Sequence, residues 1–191
     1  MFEYAKLLGL TIVVAFGCNE DPNAKYMPAG FEHLVLGTPA GELVEDSELK
    51  EPTPQQSTAN KVVERELDDD LFKSVTMLFS AGRLMGAQFV VKEQRLNGDT
   101  FFGMVSAINK KMGCEAHLYK PGDFLEAIQA PVPEKVHRAD WGACLTPEAS
   151  EAKPTSVVLG WSELPKARVI GLTIINKKAV DWVPRGTQID M

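Results

Sequence analysis

The sequence predicts an α+β fold in which two main helices pack on a largely antiparallel sheet, with a three-stranded meander at the C-terminus. Two stretches, residues 63–81 and 100–112, repeat apolar side chains at helical spacing. The last third of the chain instead carries short runs rich in β-branched residues, separated by turn residues. A helix-rich part followed by a strand-rich part is typical of segregated layers, so we expect helices on one face of the sheet.

The first predicted helix extends from about Val63 to Ala81, with Asn60 as its candidate N-cap and Gly82 as its end. Its apolar stripe comprises Val63, Leu67, Leu71, Val75, Leu78 and Phe79. The acidic run at 68–70 lies inside this span. Three consecutive side chains on a helix point in different directions, so we interpret this run as a solvated face and not as a cation site.

The second predicted helix covers residues 100–112 and follows a strand at 88–96. Asn97-Gly98 is expected to form a turn, Asp99 to cap the helix and Gly113 to end it. After this helix we expect a short strand at 115–119, a brief helix at 124–128 and a loop-rich stretch at 129–154. The three meander strands are expected at 156–161, 168–175 and 179–183.

The first 18 residues have the layout of an export signal. An uncharged run at 7–16 is followed by Gly17-Cys18 and then by a polar, acidic segment. The run is about half the length that crosses a bilayer, and it fits the hydrophobic region of a signal peptide. Residues 15–18 resemble the lipobox of bacterial lipoprotein precursors. The alternative is a cytosolic protein in which residues 10–16 form a buried first strand and Cys18 is a core cysteine.

The resemblance to lipoprotein precursors implies that residues 1–17 are a signal peptide and that Cys18 becomes the first mature residue. Cys18 would then carry a diacylglyceryl group and an amide-linked acyl chain, and two or more such chains anchor a protein stably in a membrane. Asn19 follows the cysteine. In a diderm bacterium this implies the outer membrane, with the domain facing the periplasm. The resemblance covers this segment only and implies no particular activity.

Charge divides the mature chain into two parts. The net charge is −6, and residues 18–70 hold 13 acidic and 4 basic side chains. We therefore predict an acidic, Pro-rich tether at 18–60 and a globular α+β domain at 61–191. A chain this acidic, without a Lys/Arg-rich stripe, is not expected to bind nucleic acid.

The chain contains three cysteines. With Cys18 carrying lipid, Cys114 and Cys144 remain for a disulfide, as expected in an oxidising periplasm; two reduced core cysteines are the alternative. The same pair with His117 and His137 could form a tetrahedral zinc set or a Cys/His nucleophile. The second Cys/His pair is too widely spaced for a zinc knuckle. We therefore expect no metal, no cofactor and no catalytic residue.

A second candidate site is a binding loop at 137–141, held by the predicted disulfide. It would present Arg138, Asp140 and Trp141 to a partner, and Arg and Trp are enriched in binding hot spots. The alternative is that Trp141 packs inward, because Trp is mostly buried.

The expected function is that of a non-catalytic accessory subunit in a larger envelope assembly, such as a secretion, conjugation or cell-wall machine. The lipid on Cys18 would bind the membrane and the domain would bind another envelope protein. One alternative is a soluble periplasmic thiol- or metal-dependent enzyme. The other is a cytosolic or virus-encoded structural protein with residues 1–18 folded into the domain.

Overall fold

A seven-stranded antiparallel sheet dominates the protein. The computed structural model describes residues 26–53, 59–125, 129–145, 153–165 and 168–176. The strands in chain order are β1 Lys61–Glu66, β2 Phe72–Ser80, β3 Arg83–Val91, β4 His117–Tyr119, β5 Phe124–Leu125, β6 Ala130–Pro131, β7 Val136–Asp140, β8 Ser156–Ser162 and β9 Val169–Ile175. In the large sheet their order is β1-β2-β3-β9-β8-β7-β4, while β5 and β6 pair separately.

The helices of the described residues are few. Helix α1, Ala40–Leu43, has one turn, and α2, Gly98–Met112, has 15 residues. Three further 3₁₀ turns lie at Asp46–Glu48, Glu93–Arg95 and Gly142–Cys144. The predicted fold class is therefore wrong, because one long helix, and not two, accompanies a sheet that dominates the fold.

The predicted helix at 63–81 is in fact most of β1 together with all of β2. Strand β2 is buried at eight of its nine positions, all except Lys73. The buried positions include small polar residues such as Ser74 and Thr76, so burial does not follow polarity and the apolar residues can match a helical stripe by chance. Between the two strands, Asp69 accepts hydrogen bonds from the backbone N–H groups of Leu71 and Phe72. This local turn ends β1 and starts β2.

The residues predicted to end that helix form a hairpin turn. Ala81 and Gly82 both have positive φ, 49° and 73°. Two successive positive φ values match the twist of the strands that a two-residue loop connects. Strand β2 therefore reverses directly into β3 instead of continuing as a helix.

Helix α2 confirms the second predicted helix. Its N-cap is Asn97 and not Asp99, because the Asn97 side chain accepts from the Thr100 N–H at 2.8 Å. Gly113 ends the helix in the left-handed conformation, and its N–H donates to the Asn109 carbonyl. This is the arrangement expected for a glycine C-cap.

One face of the sheet, which we call the inner face, carries the main hydrophobic core. Helix α2 contributes Phe101, Met104 and Val105 to it. The sheet contributes alternate residues of its central strands, including Ala87, Phe89, Leu159, Leu172 and Ile174. Because side chains alternate along a strand, the residues between these point to the opposite face.

Residues 26–50 also cover the inner face. Met27, Leu34, Leu36, Ala40 and Val44 are buried in the same core as α2. Lys50 forms an antiparallel bridge with Val62 at the edge of β1. Residues 26–50, which belong to the segment that we expected to act as a tether, therefore pack against the domain.

The C-terminal strands partly match the expectation. The predicted pairing of residues 156–161 with 168–175 is confirmed by β8 and β9. The third predicted meander strand, 179–183, lies outside the described residues. The second neighbour of β9 is β3, and β7, within the stretch predicted as loop-rich, pairs with the other side of β8. Residues 124–125, where a brief helix was predicted, belong to β5.

Candidate functional site

The second face of the sheet, which we call the outer face, is the surface on which the candidate binding residues lie. Strand register aligns its side chains in two rows that cross all seven strands. The first row is Glu64, Thr76, Gln88, Thr173, Val158, Asp140 and His117. The second row is Glu66, Ser74, Val90, Gly171, Gly160, Arg138 and Tyr119.

The centre of the outer face is open and nearly uncharged. Gly160 and Gly171 are directly paired across β8 and β9. A Cβ added to Gly160 would meet nothing within 4 Å, and one added to Gly171 would meet only a backbone oxygen of β3 at 3.7 Å. Val90, Val158 and Thr173 beside them are partly exposed. A shallow surface of small and β-branched side chains therefore lies in the middle of the sheet.

One end of the outer face carries a charged and aromatic group. The Arg138 guanidinium donates to Asp140 Oδ2 at 2.8 Å, and both side chains are mostly buried. Arg138 Nε is buried and lacks a hydrogen-bond partner among the described residues. On the edge strand β4, the rings of His117 and Tyr119 make an edge-to-face contact at 4.4 Å. The predicted residues Arg138 and Asp140 therefore do lie together on a partly exposed surface.

The far side of the outer face is acidic. Glu64 and Glu66 on edge strand β1 are exposed there. The two ends thus differ in charge, because an Arg–Asp pair and a histidine lie at one end and the two carboxylates of Glu64 and Glu66 lie at the other. A partner that lies across the sheet would therefore have a defined orientation.

Trp141 is not part of this surface. The residue is completely buried, and its indole N–H donates to Asn109 Oδ1 at 2.8 Å. The same oxygen accepts from the Ala116 N–H at 3.0 Å. Trp141 therefore joins the end of β7 to the end of α2, as expected for a buried indole whose N–H finds an acceptor. The part of the predicted binding loop that includes Trp141 is thus structural in this conformation.

The predicted disulfide is confirmed. Cys114 and Cys144 are bonded, with their Cα atoms 6.2 Å apart. The bond joins the residue after the α2 C-cap to the 3₁₀ turn that follows β7. It therefore reinforces the same junction that Trp141 and Asn109 hold by a hydrogen bond.

The residues of the alternative zinc or nucleophile site do not converge. Cys114 and Cys144 form a disulfide, so neither provides a thiolate for a metal or a nucleophile. His117 is paired with Asp140 on the outer face, whereas His137 stacks on Trp161 at 4.8 Å on the inner face. Two imidazoles on opposite faces of one sheet cannot bind the same ion. Within the described ranges, no group of three His, Cys, Asp or Glu side chains is arranged to hold a metal.

Sequence reasoning missed the centre of the outer face. Nothing in the sequence marks Gly160 or Gly171 as neighbours, because only the strand register brings them together. Asn109 was also missed, since a polar residue on an amphipathic helix gives no sign of the buried indole that it binds. The one sequence feature that pointed to this surface was the alternation of small and large apolar residues along β8.

Cys18, the predicted lipid attachment site, lies outside the described residues. In the part of the chain that the structure does describe, no helix combines the length and apolar character needed to cross a membrane. Comparison of the chain with protein-family models, curated proteins and solved structures gives no match in any of the three.

Proposed function

We propose that this protein is an envelope lipoprotein that is anchored through Cys18 and binds another envelope protein as a non-catalytic accessory subunit. The observation that carries the proposal is the Cys114–Cys144 disulfide. Structural disulfides persist in exported proteins and are rare in a reducing cytosol. Because Cys114 and Cys144 pair with each other, Cys18, at the end of the lipobox-like segment, is the remaining cysteine.

The outer face is the surface that we assign to the partner. Antiparallel sheets often leave one face to solvent, and such a face is normally polar. Here the central positions are Val90, Val158, Thr173 and the two paired glycines. Burial of small, uncharged groups costs little desolvation, and charged residues are depleted from the cores of interfaces. The composition of this face therefore favours protein binding.

A non-catalytic role is supported by the placement of the reactive side chains. The two histidines that could assist a thiol face opposite sides of the sheet. The two thiols form a disulfide and cannot act as nucleophiles in that state. A Cys/His mechanism would need these groups within hydrogen-bond reach of one another.

The anchor is tested by metabolic labelling with an alkyne analogue of palmitate in bacteria. We expect the wild-type chain to incorporate the label and to sediment with membranes, and Cys18→Ala to do neither. Cys114→Ala is the matched control and should retain the label. Label that persists in Cys18→Ala would contradict the proposed anchor.

The partner surface is tested by photo-cross-linking in the living cell, with a benzophenone amino acid at position 160 or position 103. Both positions are glycines at which an added Cβ meets nothing within 4 Å, but Gly103 lies on α2. We expect a discrete adduct from position 160 that is absent from position 103. Gly160→Tyr, with a probe at position 171, should abolish the adduct, because the added ring occupies the centre of the face. Equal adducts from both positions, or none from position 160, would contradict the assignment.

A further inference from the structure

A deep apolar cleft opens between α2 and residues 26–29. Its volume is about 370 Å³, within the range of roughly 300–1,000 Å³ that is typical of small-molecule sites. Its floor includes Phe72, Val157 and Leu172, which are at most 5 % exposed and belong to the main core. The cleft therefore reaches into the hydrophobic interior and is not a shallow surface groove.

The walls of the cleft are apolar and adaptable. One side of α2 contributes Met104, Ala107, Ile108 and Met112, and Met27 lies on the opposite wall. Methionine is unbranched and polarisable, so methionine-lined sites adjust to flexible apolar ligands. A linear hydrocarbon fits this lining better than a rigid or polar molecule.

The charges at the rim are already paired. The Lys111 ammonium donates to the Met27 carbonyl at 2.5 Å and lies 3.7 Å from Glu32 Oε1. Asp69, also at the rim, accepts two backbone N–H bonds through Oδ1. A ligand with a free carboxylate would face these acids without an unpaired cation to receive it. The rim therefore favours a chain whose head is uncharged, such as an ester-linked chain of the diacylglyceryl group or the amide-linked acyl chain.

We propose that this cleft binds one of the acyl chains carried by Cys18 when the protein is out of contact with a membrane. The inference rests on the proposed function, since it needs the lipid on Cys18. Tyr26, at which the described chain begins, is itself a lining residue, and Cys18 precedes it by eight positions. A chain extends by at most about 3.6 Å per residue, so Cys18 lies within roughly 29 Å of Tyr26 in any conformation. The segment between them is therefore short, and the lipid is tethered within reach of the cleft.

The experiment uses the full chain, produced in bacteria fed with a fatty acid that carries both a diazirine and an alkyne. The purified lipidated protein is irradiated either free of detergent or in phosphatidylethanolamine/phosphatidylglycerol vesicles, and the cross-linked peptides are identified by mass spectrometry. We expect adducts to be concentrated at residues 26–29 and 104–112 in the detergent-free sample, and to fall at least fivefold in vesicles.

Two variants on α2 provide the comparison. Ala107→Trp places a large ring in the cleft, and Ser106→Trp places the same ring at the neighbouring exposed position, which does not line it. We expect Ala107→Trp to lower the cleft adducts at least fivefold and Ser106→Trp to leave them unchanged. Ala107→Glu should act like Ala107→Trp, which guards against loss of folding by the larger residue.

The outcomes separate this inference from the proposed function. Label on Cys18 with adducts spread evenly over the domain, or found only on a second protein, would overturn the inference and leave the anchor intact. Cleft adducts that persist in Cys18→Ala would show that free lipid is the occupant, which also overturns it. Absence of label from Cys18 in the wild type would overturn both.

Discussion

Removal of the Cys114–Cys144 disulfide should destabilise the domain more than any single surface substitution. The bond spans a sequence separation of 30 residues, from the end of α2 to the turn after β7. In the chain-entropy model, closing a loop of this length stabilises the folded state by about 3.6 kcal/mol. We therefore expect the double substitution of both cysteines by serine to lower the free energy of unfolding by about 3–4 kcal/mol.

Urea denaturation of the oxidised protein measures this change. With an m-value of about 2 kcal/mol/M, typical of a domain of this size, the midpoint should fall by about 1.5–2 M. The m-value itself should rise, because removing the cross-link allows the unfolded chain to expand and expose more surface.

Reduction supplies the matched control. In the presence of a thiol reductant, the wild type and the double variant should unfold at nearly the same urea concentration, since both then lack the bond. A midpoint difference below about 0.5 M between the oxidised proteins would refute the reasoning. So would a difference of full size that survives reduction, because it would then come from packing of the sulfur atoms.

Three further predictions concern stability. Asn109→Ala should cost roughly 1–3 kcal/mol in urea unfolding, because it leaves a buried indole N–H without its acceptor; an unchanged midpoint would contradict this. Gly86→Ala should lower the free energy of unfolding by about 1–3 kcal/mol, because its Cβ would lie 2.8 Å from a backbone oxygen. Gly160→Ala places its Cβ in open space and should change the free energy of unfolding by no more than about 0.5 kcal/mol. Equal melting temperatures for the two variants would count against the argument. The pKa of Glu48 is lowered from 4.5, first by the backbone hydrogen bond with Glu45 and then by an arginine side chain. The stability that this carboxylate contributes is present above pH 4.5 and is lost as pH falls through the lower pKa of the folded state. Glu48→Gln should therefore lower the melting temperature at pH 6. Well below the folded-state pKa of Glu48, the variant and the wild type should melt at the same temperature.

Local signals predicted the parts of the fold that are decided locally. Helix α2 has an apolar stripe, a capping side chain next to its start and a glycine at its end, and each acts within a few residues. The shift of the N-cap from Asp99 to Asn97 is a matter of two residues. The β8–β9 pair was predictable for the same reason, since two β-branched runs are separated by a short connection.

The failed prediction of a helix at 63–81 shows where local signals stop. Strand β2 pairs with β1 and β3 along its two edges, the core covers its inner side and a small cluster covers one end of its outer side. Its buried residues include the polar Ser74, Thr76 and Ser80, so burial along this strand does not follow polarity and the sequence pattern does not reveal it. The choice between helix and strand was therefore made by partners that lie elsewhere in the chain.

The sequence by itself determined the acidic N-terminal region, helix α2 and a pair of cysteines that could be joined, while the export signal stays a prediction. Each depends on residue type, count or spacing, which need no three-dimensional partner. Only the tertiary structure decided that His117 and His137 lie on opposite faces of the sheet, that Trp141 is buried, and that Gly160 lies beside Gly171. Strand register sets these relations, because a slip of one residue moves every side chain of a strand to the other face.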